Sequence, residues 1–145
     1  MHPYPHLYRV SATATQSGSV TVASPNLPDL QTAPPAAFDG PGDVWSPETL
    51  LCGAVADCIV LTFRAVARAA RFEWVKIECR VEGTLDRVEG VAHFTKYLVR
   101  ATLTVAGDAD ETKARALLER AEHACLISNS VRGERTLEAT VLREG

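Results

Sequence analysis

From Thr49 to Ala70 the chain holds no proline and a single glycine, Gly53, and this stretch constrains the fold more than any other. Ser46 is a good N-cap, Pro47 suits the first helical position, and Glu48 favours the positive end of the helix dipole. The arginines of "RAVARAAR" fall at the other end, where the dipole favours cations. Leu50, Leu51, Ala54, Val55, Cys58, Ile59, Leu61 and Val66 spread around most of the helical circumference. A helix apolar nearly all round is central rather than peripheral, so the sequence predicts a helix over 49–70 buried along its N-terminal half. Glu48, Asp57, Arg64 and Arg68 interrupt it, which argues against a membrane span.

Around this helix the elements are short and legible. "LYRVSATAT" (7–15) and "GSVTVA" (18–23) are rich in β-branched residues and predict a hairpin turning at Gln16–Ser17–Gly18. Residues 24–45 hold five of the eight prolines and no periodicity, which predicts a long Pro/Gly-rich loop. After the helix, "WVKIECRVEGTL" alternates Val75, Ile77, Cys79 and Val81 with charged residues, as a half-buried strand does. A turn near 86–90 leads to a second long strand, "VAHFTKYLVRATLTVAG", and the two predict an antiparallel hairpin. "DADETKARALLERAEHAC" is an amphipathic helix capped by Asp108 or Asp110, and "ERTLEATVLRE" is a closing strand. With 145 residues this is one domain, 1–145, of α+β class, an antiparallel sheet with segregated helices.

A net charge of −3 gives no reason to expect a nucleic acid or an anionic membrane as partner. "MHPYPHLYRV" has neither the basic nor the apolar region of a secretory signal, so a cytoplasmic location is expected. In that compartment Cys52, Cys58, Cys79 and Cys125 are not a disulfide framework by default. Nor do they make a zinc site, because there is no C-x-x-C pair and no H-x-x-x-H. Taken singly, each reads as a small buried hydrophobe.

Two motifs change that reading. "WSPETLLCGAVADC" followed by "AEHACLISNSV" resembles the OsmC/Ohr family of osmotically inducible and organic hydroperoxide resistance proteins. The shared features are an [S/N]-P-E-x-L helix start, a cysteine ten residues after the glutamate, and a second cysteine before a Ser-Asn pair. The resemblance implies antiparallel sheets around a long central helix and a second helix, in an intertwined homodimer. It implies that Cys58 attacks peroxide, that Cys125 resolves it, and that Glu48 belongs to the site. The expected partners are an organic hydroperoxide and an external dithiol reductant of the lipoyl type. No metal, haem or flavin is called for. Cys52 is assigned to packing and His123 to the solvent at a helix C-terminus.

One departure bears on the activity. In the family's peroxidases an arginine held by the glutamate activates the thiol, and the two positions that could supply it are Gln16 and Ala37 here. Arg9 is the sole arginine before Arg64. Arg64 and Arg68 lie about 240° and about 280° around the helix from Cys58, too far to serve it within one chain. The expectation is therefore a Cys58 pKa at or above that of a free thiol, because burial penalises the thiolate. Two functions remain open: a thiol peroxidase, fast or slow, and a non-catalytic dimer that binds a small apolar ligand at its subunit interface.

Overall fold

The computed structural model describes residues 1–145, which divide into two compact units, Met1–Leu51 and Cys52–Gly145. In the first unit β1 (Ser11–Thr13), β2 (Val20–Ala23) and β3 (Leu30–Thr32) form an antiparallel sheet in that order. The expected hairpin is present with shorter strands. The expected loop over 24–45 is corrected, because it contains β3. Gln31 holds this strand to its neighbour: its Oε1 accepts from Ser19 Oγ at 2.8 Å and its Nε2 donates to Thr21 Oγ1 at 3.1 Å. Three residues set between Pro28 and Pro34 are too few to display a period.

Beyond β3 the Ala33 N–H donates to the Trp45 carbonyl at 3.1 Å, closing a loop that carries a 3-10 turn at Ala36–Phe38. Gly40 is obligatory there, since a Cβ on it would stand 1.7 Å from the Pro34 carbonyl oxygen. The helix start follows from local chemistry. Ser46 Oγ accepts from the Thr49 N–H at 3.1 Å, and the Ser46 N–H donates back to Thr49 Oγ1 at 2.9 Å, a reciprocal cap with threonine in the usual place of glutamate.

The predicted helix is α1 (Pro47–Ala69), and the boundary between the units falls within it. In the second unit β4 (Lys76–Val88) and β5 (Val91–Ala106) are antiparallel and joined through Glu89 and Gly90. Both turn residues have positive φ, 51° and 81°, which matches the twist of a two-residue hairpin. α2 (Glu111–Ala124) follows, and of the two candidate caps Asp110 is the one used, its Oδ1 accepting from the Lys113 N–H. β6 (Glu134–Glu144) then pairs with β5 in parallel, giving the order β4-β5-β6. The expectation of a wholly antiparallel sheet is corrected here. α2 carries the chain back along the sheet, so the strand after it runs in the direction of β5.

The architecture is α+β, and β5 is the central strand of the second unit. Tyr97, Val99, Ala101, Leu103 and Val105 point from one face of β5 and are buried. Phe63 and Ala67 of α1 pack on this face together with Ala114, Leu117, Leu118 and Ala121 of α2. α1 is long and apolar enough to cross a membrane, but its ridge of Val55, Ile59, Phe63 and Ala67 is core. The rest of its apolar circumference is less covered than the sequence predicts. Leu50, Leu51 and Ala54 are half-buried and Leu61 is 51% exposed, because a single chain packs one ridge of the helix.

Candidate functional site

Cys58 and Cys125 reach each other from different elements. Cys58 sits on the core side of α1 next to the buried Ile59, and Cys125 is the fully buried C-cap of α2. α2 ends there because Cys125 turns to an extended conformation (ψ 111°), and a 3-10 turn at Ser128–Ser130 follows. This places the two thiols in one apolar cluster with Val55, Ile59 and Val99.

The segment after Cys125 supplies the donors. The backbone N–H groups of Leu126 and Ile127 favour the thiolate of Cys58, and the Ser128 N–H donates to Cys125 Sγ at 3.4 Å. Thr62 Oγ1, one helical turn beyond Cys58, lies 3.8 Å from its sulfur. Burial works against ionisation of Cys58, yet the Ile127 N–H, the Cys125 thiol, the Thr62 hydroxyl and the Leu126 N–H together hold its pKa below the ordinary value. The expectation that Cys58 stays at or above a free thiol is therefore corrected. Hydrogen bonds to the thiolate lower its pKa without any guanidinium.

The other thiols behave in the opposite way. Burial raises Cys125, and an adjacent Cys58 thiolate raises it further, so Cys58 ionises first. Cys79, in the same cluster, is pushed up to about 11 by burial and by the neighbouring Cys125. Cys52 is also raised by burial and packs against Gly83, as a packing residue should.

The remaining predicted residues are placed as follows. Glu48 lies in the first turn of α1, and its Oε1 is buried without a hydrogen-bond partner. Gln16 and Ala37 are exposed, Gln16 beside the β1–β2 turn and Ala37 within the 3-10 turn. Arg64 and Arg68 are exposed on α1, and His123 is exposed at the end of α2, as expected.

Sequence reasoning missed Arg135. Its Nε donates to Glu122 Oε1 at 2.7 Å, one terminal nitrogen to the Ser128 carbonyl at 2.6 Å, and the other to Asn129 Oδ1 at 3.2 Å. A signal was available. Arg135 shares the strand parity of Leu137, Ala139 and Val141 and is half-buried like them, so an arginine opens the inward register of β6.

The family model for OsmC-like proteins matches residues 40–140. A relative in Bacillus subtilis, the uncharacterized protein YmaD, is 32% identical over 112 residues, which is 74% of this chain and 75% of the relative. Among solved structures, an OsmC-like protein of unknown function from Vibrio cholerae superposes with a TM-score of 0.85 at 17% identity, covering 93% of this chain and 99% of its own. An organic hydroperoxide resistance protein from Legionella pneumophila gives 0.75 at 22% identity, covering 97% and 99%. At these identities the superpositions establish the fold.

Proposed function

Because the chain belongs to the OsmC-like family, we propose that it is a thiol-dependent peroxidase that reduces organic hydroperoxides through Cys58 and Cys125. The observation that carries this reading is that Cys58 and Cys125 lie in one apolar cluster, with the pKa of Cys58 lowered and that of Cys125 raised. The Cys58 thiolate attacks one peroxide oxygen, the O–O bond breaks, and the alkoxide leaves and takes a proton to become the alcohol. Cys58 is then a sulfenic acid. Cys125, as thiolate, attacks that sulfur, the S–O bond breaks, and the hydroxyl leaves as water once protonated. The resulting disulfide is reduced by an external dithiol, for which a lipoyl-type compound is proposed.

Several features support the substrate class and assembly. Cys58 is surrounded by Val55, Ile59, Val99 and Ile127, an apolar wall that suits alkyl chains. The Legionella neighbour is itself called an organic hydroperoxide resistance protein. The half-buried apolar circumference of α1 favours a homodimer, since a second chain would cover what the first leaves open. Glu48 completes the proposed set, because its buried Oε1 accepts no hydrogen bond and is available to a donor. A thiol pair recycled by a dithiol also suits a reducing cytoplasm. The second reading, a non-catalytic dimer that binds a small apolar ligand, is favoured by one feature: Gln16 and Ala37 stand where the family peroxidases place arginine.

Turnover of cumene hydroperoxide with dihydrolipoamide as reductant separates the two. Peroxidase activity lost in Cys58→Ser supports the enzyme. Absence of turnover together with a Cys58 that stays reduced supports the binder.

A further inference from the structure

The donors that hold Cys58 are backbone N–H groups, which a side-chain substitution does not remove, so their direction must be set by whatever fixes the turn. A trans peptide is planar and its C=O and N–H point in opposite directions, so anchoring the carbonyl aims the N–H. Each peptide of this turn is anchored in that way. The Cys125 carbonyl accepts from the Asn129 N–H at 3.0 Å, which turns the Leu126 N–H toward Cys58. The Leu126 carbonyl accepts from Ser130 Oγ at 2.7 Å, which turns the Ile127 N–H the same way. The Ile127 carbonyl accepts from the Ser130 N–H at 2.9 Å, which aims the Ser128 N–H at Cys125 Sγ.

The anchoring residues 129 and 130 are exposed and would not by themselves hold position. Arg135 holds them. Its guanidinium binds the Ser128 carbonyl and Asn129 Oδ1 on the turn, and Glu122 Oε1 in the last part of α2. Asn129 Nδ2 ties back to the His123 carbonyl at 3.1 Å. The Arg135–Glu122 pair is shielded, with side-chain exposures of 22% and 13%, unlike the other ion pairs of the chain, which are all exposed. A planar fork with five donors is suited to join three acceptors in a fixed geometry, and lysine is not.

We infer that Arg135 is a positioning residue for the Cys58 thiolate, acting through the Glu122–Ser128–Asn129 clamp that aims the Leu126 and Ile127 N–H groups at its sulfur. Arg135 touches neither sulfur. The role attached to the thiolate rests on the peroxidase reading, but the clamp's effect on Cys58 does not require peroxide chemistry. Within residues 52–145 the titratable group facing Cys58 is Cys125 at the end of α2, with Cys79 of β4 beside Cys125. Glu122 and Arg135 face each other, and His123 is exposed.

The test is the pH dependence of iodoacetamide alkylation of Cys58, followed by peptide mass spectrometry in the full chain. Arg135→Gln should move the midpoint upward by about one unit, lowering alkylation near neutral pH roughly tenfold. Arg135→Lys, which keeps the charge without the fork, should recover part of the loss. Asn129→Ala, an exposed change that leaves the ion pair intact, should give a smaller shift in the same direction and serves if Arg135→Gln does not fold. An unchanged Cys58 midpoint in folded Arg135→Gln, or in Asn129→Ala where Arg135→Gln does not fold, overturns the inference. Wild-type protein that alkylates readily at Cys58, shifts in Arg135→Gln, yet never reduces cumene hydroperoxide would sink the peroxidase reading and leave the clamp standing.

Discussion

Cys58 and Cys125 share one apolar cluster, and of the two it is Cys58 whose pKa is lowered and Cys125 whose pKa is raised. The asymmetry comes from the turn after α2. Two N–H groups serve Cys58, one serves Cys125, and Cys125 is the more deeply buried. An attacking thiol and a resolving thiol need that difference, since the first must be ionised while the second waits.

The first prediction is selective alkylation. A depressed pKa raises the thiolate fraction near pH 7 above the few per cent of a free cysteine, so sub-stoichiometric iodoacetamide should label Cys58 well before Cys125 or Cys79. Labelling of Cys125 should grow only as the pH is raised. Equal labelling of the two at neutral pH would contradict the asymmetry.

Oxidation should follow the same order. A small excess of cumene hydroperoxide should give a Cys58–Cys125 disulfide, detectable as a linked peptide pair. In Cys125→Ser the product should stop at the Cys58 sulfenic acid, trapped by dimedone, and proceed to sulfinic acid with more oxidant. A Cys58 thiol that survives this treatment would exclude the redox function.

Gly83 should resist substitution. A Cβ there would lie 2.7 Å from Cys52 Sγ and 2.9 Å from the Phe94 ring, and neither neighbour is a long flexible chain. Gly83→Ala should cost about 1–3 kcal/mol of stability by chemical denaturation, the usual range for overpacking. Adding Cys52→Ala should return part of that loss. Additive effects in the double variant would show that the two residues do not press on each other.

Stability should fall at alkaline pH, and Cys79 should be one cause. Its folded pKa is raised to about 11, so the protonated thiol is favoured by the fold. The corresponding stability is fully present below the unfolded thiol value of about 8.5 and is lost as the pH rises through the folded value. Cys79→Ala should flatten the decline in denaturation midpoint between pH 8.5 and pH 11. An identical slope in wild type and variant would remove Cys79 as the cause.

The last prediction concerns assembly. Light scattering should report a dimer, and Leu61→Glu should shift it toward monomer while leaving helical content unchanged, since Leu61 is 51% exposed on the single chain. A wild-type monomer would rule out the homodimer.

Local signals were legible in the sequence. Ser46, Pro47 and Glu48 marked the start of α1 because capping acts within one turn, and alternation in β4 revealed its buried face. The direction of β6 was not legible, because its pairing partner is chosen by the crossover through α2 and not by its own residues. β3 was hidden by its length. The pair Cys58 and Cys125 came from motif resemblance, whereas the groups that lower Cys58 could not be read at all. Every residue but proline has an N–H, and nothing in "CLIS" says where those of Leu126 and Ile127 will point.

The parallel pairing of β6 with β5 has a kinetic consequence. β4 and β5 meet across a two-residue turn, so their contacts close a short loop and form early. β6 pairs with β5 across a much longer separation, 38 positions for Arg100 and Glu138, and closing such a loop is slow. Arg135 arrives with β6. If β6 docks last, the thiol pair comes together before the clamp does, and Cys58 should remain an ordinary thiol until that step. Ionisation of Cys58 then becomes a signal of the final docking event, and its appearance should coincide with slow protection of the β6 amides against hydrogen exchange.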